Sequence, residues 1–521
     1  MNARKKSFLL FTVLSFAAFA SLWAQEKPKF ELPLAVASEL RRLEETYHVL
    51  DFAAEKIWPG WKSYKDFPFM LSFENGLRLL IGHPAPPKEF ELLPDHKIQD
   101  KNVYIDRTKL APLEIKEPLS CGGGILPYGM SEGRPIQTVS MNFYKVPLSE
   151  KEDLSKMKTE DRILIYIHEL FHCFQRANVQ FQYGNLRYNS DVNYALYSEI
   201  EGRALEKAYA ESDSEKAKGY LKDFIIAREL KRKSMTEAQQ KEESSDDVRE
   251  GTAVYSEVRT LEILKEGYKP QLNATDDPYY GEFKDIDSFL KKYTERLKSS
   301  SENIYESKMK CYDYGCFQAL LLQRFFPGWQ EPFSKEACLM DDELRKRIPV
   351  SEEDKAGAQK RFQDVYNFEE IKARAQKAME ERDSAYKALI SLKGKAYIIS
   401  FKEVQQYVSA VVDKSKKSYD LGLIKTYPDG IGKIKFEDVE IDVHQKPAEV
   451  NQLFYIRLVD TEWKKRSKPY SLQFEKQESD SVYKNAVITN PLFTLKAPKV
   501  RIKDSAKRVK IWVLSRVREK E

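Results

Sequence analysis

Residues 163–175 read "ILIYIHELFHCFQ", a mostly apolar stretch that carries two of the chain's six histidines, four residues apart, with a glutamate directly after the first. Ile163, Leu164, Ile167, Leu170, Phe171 and Phe174 recur at helical spacing, which predicts a buried helix over 160–178. On such a helix four residues are just over one turn, so His168 and His172 project from one face and can converge on a single ion. Zinc fits that pair of imidazoles. Glu169, rotated about 100° from His168, reaches a water on the metal rather than the metal itself. Burying three polar groups without a shared purpose costs several kcal/mol, which argues for a hydrolytic centre over two satisfied core histidines. Two protein nitrogens and one distant ligand leave a coordination position open, as in a catalytic zinc site. Water there has its pKa lowered toward roughly 7, and Glu169 is placed to take its proton while the metal polarises a carbonyl.

The other histidines, His48, His83, His96 and His444, lie in separate segments with no spacing that suggests a site. A glutamate is therefore the better third ligand. Glu201 in "YSEIEGRAL" and Glu250 in "REGTAVYSE" both sit on predicted helices, each followed by a glycine that permits close backbone approach to the metal helix. Spacing alone does not choose between them.

Taken in order, "HELFH" (168–172), "EGTAVYSE" (250–257) and "CYDYGCFQALLL" (311–322) resemble the motif set of gluzincin metallopeptidases of the alanyl-aminopeptidase and leukotriene-hydrolase kind. The resemblance implies a zincin-like catalytic domain in which Glu250 is the third zinc ligand, with Glu201 as the alternative. It also implies that Tyr312 stabilises the oxyanion. The link from His172 to Glu250 is much longer than in those enzymes, so the residues between them amount to an insertion carried over the site. The Gly-x-Met-Glu-Asn strand that anchors a free amine there is missing, and aminopeptidase activity is not implied.

Around this centre the 521-residue chain is long enough for two or three domains, and 42% hydrophobic with 12% aromatic content makes it globular. The start, "MNARKKSFLLFTVLSFAAFASLWAQ", runs from basic residues through a short apolar stretch to small ones, the layout of a secretory signal peptide over 1–24. A retained membrane anchor is the alternative; no other apolar run is long enough to span a bilayer. The protein is thus expected to be secreted or periplasmic. With 86 basic against 81 acidic residues there is almost no net field, and nucleic acid is not expected as a partner. The five cysteines are too few and too irregularly placed for a disulfide framework.

Residues 25–150 alternate and turn like a small mixed sheet with one or two helices, with a hairpin at Asn75-Gly76. Residues 151–392 are helical in composition and hold the zinc site. Within them the charged stretches 227–250 and 352–383 read as solvated helix faces. From 393 to 521 short alternating runs predict a β-sandwich or barrel, so the whole is α+β. The function expected is a zinc metallopeptidase acting on peptide or protein substrates, with Glu169 as general base. The reading from another class is an exported binding or scaffold protein that retains the zincin fold without turnover.

Overall fold

The computed structural model describes residues 31–514 apart from 111–119, 145–158, 179–190, 278–285, 298–303, 403–411 and shorter stretches of one to four residues. The signal peptide expected over 1–24 lies outside the described residues. The fold is α+β.

Helix α1 (Leu34–Ile57) buries Val36, Leu43, Tyr47, Leu50 and Ile57, a stripe at i, i+3, i+4 and i+7 spacing. The predicted hairpin follows. Strands β1 (Phe69–Phe73) and β2 (Arg78–Ile81) are antiparallel, and between them Asn75 Oδ1 accepts from the Leu77 N–H while Gly76 takes a positive φ of 87°. Strands β3 (Glu91–Ile98), β4 (Lys101–Asp106), β5 (Ser120–Ser131) and β6 (Arg134–Tyr144) complete a six-stranded sheet of order β3-β4-β2-β1-β6-β5. Only β1 and β6 run parallel, and β5 is an edge. Its sequence, "SCGGGILPYGMS", carries residues depleted from strands, and long pairing with β6 holds it extended.

Helix α2 (Thr159–Asn178) carries the HELFH stretch and packs against α1 and both β5 and β6. Ile163, Leu164, Ile167, Leu170, Phe171 and Phe174 are buried, as the sequence predicts, while Ile165 is only partly covered. Next come α3 (Val192–Ala210), α4 (Ser214–Arg232) and α5 (Glu237–Asp246), then a π-helical turn over Asp247–Gly251 that leads into α6 (Thr252–Leu264). Helices α7 (Ile286–Leu297) and α8 (Ile304–Phe325) follow. One apolar core from Ala35 to Ile371 joins the sheet to the helices.

The charged stretch 227–250 is a solvated face only in its middle, where Lys241 and Glu237 form an exposed i,i+4 pair at 2.8 Å. Arg228, Lys231, Glu243 and Asp247 are buried, because each meets an opposite charge: Arg228 to Asp247 at 2.7 Å, Lys231 to Glu243 at 2.8 Å. Composition cannot tell charges that face water from charges that face one another. By contrast the helices Glu352–Tyr366 (α9, after the short Met340–Arg347 turn of helix) and Phe368–Ser391 (α10) expose most of their charge. There Arg374 and Glu370 form an i,i+4 pair at 3.5 Å.

Between Lys395 and Val513 twelve strands form one mixed sheet. Alternate residues such as Tyr397 and Ile399, Ile441 and Val443, or Val509, Ile511 and Val513 meet in a second core confined to residues 397–513. All five cysteines are unbonded.

Candidate metal centre

On α2 the imidazoles of His168 and His172 face the same way, with ring centroids 4.7 Å apart. Opposite them stands Glu250 of the π-helical turn. Its Oε2 lies 3.2 Å from His172 Nε2 and 3.7 Å from His168 Nε2. One ligand atom from each of the three residues falls within 4.8 Å of the others.

The far sides of both rings are held. His168 Nδ1 donates to Glu257 Oε1 at 2.7 Å, and His172 Nδ1 donates to Gln175 Oε1 at 2.7 Å. The orientation of the Gln175 amide is fixed by its other end: Nε2 donates to Thr252 Oγ1 at 2.6 Å and to the Arg249 carbonyl at 2.8 Å. Thr252 Oγ1 is free to accept because it donates to the Val248 carbonyl. With Nδ1 of both rings engaged on the far side, Nε2 of each imidazole is the atom turned toward Glu250 and the one left to ligate an ion once it carries no proton. Neither supporting residue is assigned a role by the sequence reading. Gln175 lies three residues beyond His172 and Glu257 seven beyond Glu250, and these helical spacings are the signals that could have found them.

Glu250 owes its place to the turn that carries it. Asp247 anchors the turn, accepting from Arg228 at 2.7 Å and from Gln318 at 2.9 Å. Gly251 touches Gly315 of α8 so closely that a Cβ on it would come 2.2 Å from the Gly315 Cα. Arg249 donates to Glu250 Oε1 at 3.0 Å and leaves Oε2 to the histidines. Burial alone would raise the Glu250 carboxyl, but its hydrogen bonds with the two imidazoles outweigh this and hold it well below the usual range. Burial likewise disfavours a charged His168, yet Glu250 and Glu257 overcome it and raise its pKa to about 10. An imidazole flanked by Glu250 and Glu257 thus sits where positive charge is favoured.

Glu169 points to the other wall. At Gly123 of β5 a Cβ would approach its Oε1 to 2.3 Å, so only glycine leaves room for the carboxylate. Burial pushes the Glu169 pKa up, with the two histidines working against the shift. The sequence carries no local sign of this contact across more than forty positions. Tyr312 of α8 lies parallel to the His168 ring at 6.1 Å. Burial, and then the Glu250 charge, drive its phenol pKa well above the ordinary value. Tyr314 faces away, and its hydroxyl donates to the Ser198 carbonyl.

Glu201, the alternative third ligand, lies elsewhere. It is buried on α3 with Oε2 2.6 Å from Lys231 Nζ, inside the ion-pair cluster that includes Arg228. The expected insertion over the site also differs from what is seen: among the described residues none from 192 to 246 lines the cleft. Packed against α8, α3 and the cluster instead brace the turn from behind. The cleft itself has a volume of about 340 Å³ and runs between β5 and the candidate ligands His168, His172 and Glu250.

No family model, curated protein or solved structure matches the chain. The fit of a metal therefore rests on the site itself. Two imidazole nitrogens and one carboxylate oxygen, oriented by hydrogen bonds on their far sides and open to a cleft, are a donor set for a borderline dication. Among the described residues no helix is long and apolar enough to cross a membrane.

Proposed function

We propose that this protein is a zinc-dependent metallopeptidase of the gluzincin type, with a zincin-like catalytic domain formed by the N-terminal sheet and the helices. The observation that carries the reading is the convergence of His168, His172 and Glu250 beside Glu169, in a cleft walled by a sheet edge. The three residues would hold zinc, whose chemistry there is Lewis-acid activation of a water and of a peptide carbonyl. Glu169, half-buried in the cleft and raised in pKa, accepts the proton of the attacking water and passes it to the leaving amine. The Tyr312 phenol, kept protonated, donates to the oxyanion. Glu257 and Gln175 hold the imidazoles in the ligating tautomer. The substrate is a peptide or protein and, from the signal-like start of the chain, the site of action is periplasmic or extracellular.

Metal analysis of purified protein, together with digestion of a mixed peptide library, tests the reading. About one zinc per chain and cleavage that disappears in Glu169→Gln with the metal retained are expected. Stoichiometric zinc without any cleavage would replace the peptidase with a binding protein on the same fold, and absence of zinc after reconstitution would remove both.

A further inference from the structure

Two guanidinium groups line the cleft, those of Arg249 and Arg176. Arg249 is committed, with Nη2 2.6 Å from Asp246 Oδ1 and Nε 3.0 Å from Glu250 Oε1. Arg176 is exposed and meets no carboxylate among the described residues. Its Nη1 donates to the side-chain carbonyl of Gln137 in β6 at 3.2 Å. A neutral amide steadies the guanidinium without neutralising it.

The position of Arg176 is as informative as its charge. It follows His168 by eight residues and His172 by four, so it shares their face of α2. The helix dipole favours a cation in the last turn, which accounts for a positive residue there but not for its lying on the metal-binding face. Along the helix axis Arg176 is about 10 Å from Glu169. On the sheet, Gln137 pairs with Pro127, four residues along β5 from the Gly123 that touches Glu169. That is about 13 Å of strand. Helix and strand therefore give concordant spans between the proton acceptor and the unneutralised cation. An extended peptide covers such a span in three or four residues.

We propose, resting on the peptidase reading, that Arg176 is a specificity-determining residue that takes a substrate carboxylate three or four residues from the bond to be cleaved. The planar fork of arginine matches a carboxylate through two parallel N–H donors. The carboxylate comes either from an aspartate or glutamate side chain or from the end of the peptide.

The test uses zinc-loaded full-length protein and peptide pairs that differ by glutamate against glutamine at each position near the cleaved bond, each with a free or amidated C-terminus. The wild type is expected to favour the acidic member by about tenfold or more in kcat/KM at one position. Arg176→Gln should abolish that preference, and Arg176→Lys should keep part of it, with zinc content unchanged in both. A glutamate effect that survives amidation identifies a side chain, whereas loss on amidation alone identifies the chain end. A second arm measures equilibrium binding of a fluorescent acidic peptide to Glu169→Gln protein with and without Arg176→Gln. Cleavage with no charge preference, or a preference that survives Arg176→Gln, overturns the assignment. If nothing is cleaved but acidic-peptide binding still depends on Arg176, the peptidase reading fails and the carboxylate site stands; if neither occurs, both fall.

Discussion

His168 concentrates the electrostatics of the site. Its folded pKa of about 10 lies above the ordinary histidine value, so pairing of its cation with Glu250 and Glu257 stabilises metal-free protein fully below about pH 6.5. That stabilisation is lost as pH rises through about 10. A ligating imidazole must shed the same proton, so zinc binding at pH 8 is expected to release about one proton per ion, and apparent affinity should rise about tenfold per pH unit below pH 10. Calorimetry in buffers of different ionisation enthalpy measures the proton count, and His168→Ala should abolish it together with the metal. The two tyrosines of α8 separate chemistry from packing in the same way. Tyr312→Phe should lower kcat by about a hundredfold with little change in KM, because on the proposed mechanism it removes a donor to charge that develops only in the transition state. Tyr314→Phe should leave kcat within a few-fold and cost about 1 kcal/mol of stability, measured in urea, through loss of its bond to Ser198.

At the scale of elements, what could be read in the sequence is what depends on neighbours along one helix. His168, His172 and Glu169 share one helix at a spacing of four and one, whereas the close approach to the metal helix expected from the Glu-Gly pair at 250 is made instead to α8, where Gly251 meets Gly315. The strand β5 could not be read this way, since a run of glycines argues against a strand and only β6 on one side and Glu169 on the other supply the reason for it. Nor could the twin motif at Glu201 be told from Glu250, because the difference lies in Lys231 and Arg228, brought in by another helix. The two glutamates should accordingly fail in opposite ways. Glu250→Ala is expected to release zinc from folded protein. Glu201→Ala leaves Lys231 buried with its charge only partly balanced, so it should cost about 3–5 kcal/mol of stability while the folded fraction still binds one zinc. Urea midpoints alongside metal content distinguish them, and zinc loss confined to Glu201→Ala would reverse the assignment of the third ligand.

For the whole molecule, two cores decide how it responds to the metal. The first spans Ala35 to Ile371, the part of the chain that carries the candidate ligands His168, His172 and Glu250; the second is closed within 397–513 and carries none of them. Helix α10 leads from one to the other, and Tyr419 donates to Glu381 across the junction at 2.9 Å. Such a contact is far smaller than either core, so heat should unfold the two parts in separate steps. On the proposed reading zinc would bind only the native form of the first. At a free concentration a hundred times its dissociation constant it should stabilise that part by about 2.7 kcal/mol, a shift of a few degrees for a unit of this size. Scanning calorimetry with and without a chelator should therefore move one transition and leave the other in place. A single transition that moves as a whole would show that the β-sheet and the metal-binding part unfold as one unit, with the junction at α10 carrying far more than its visible contacts.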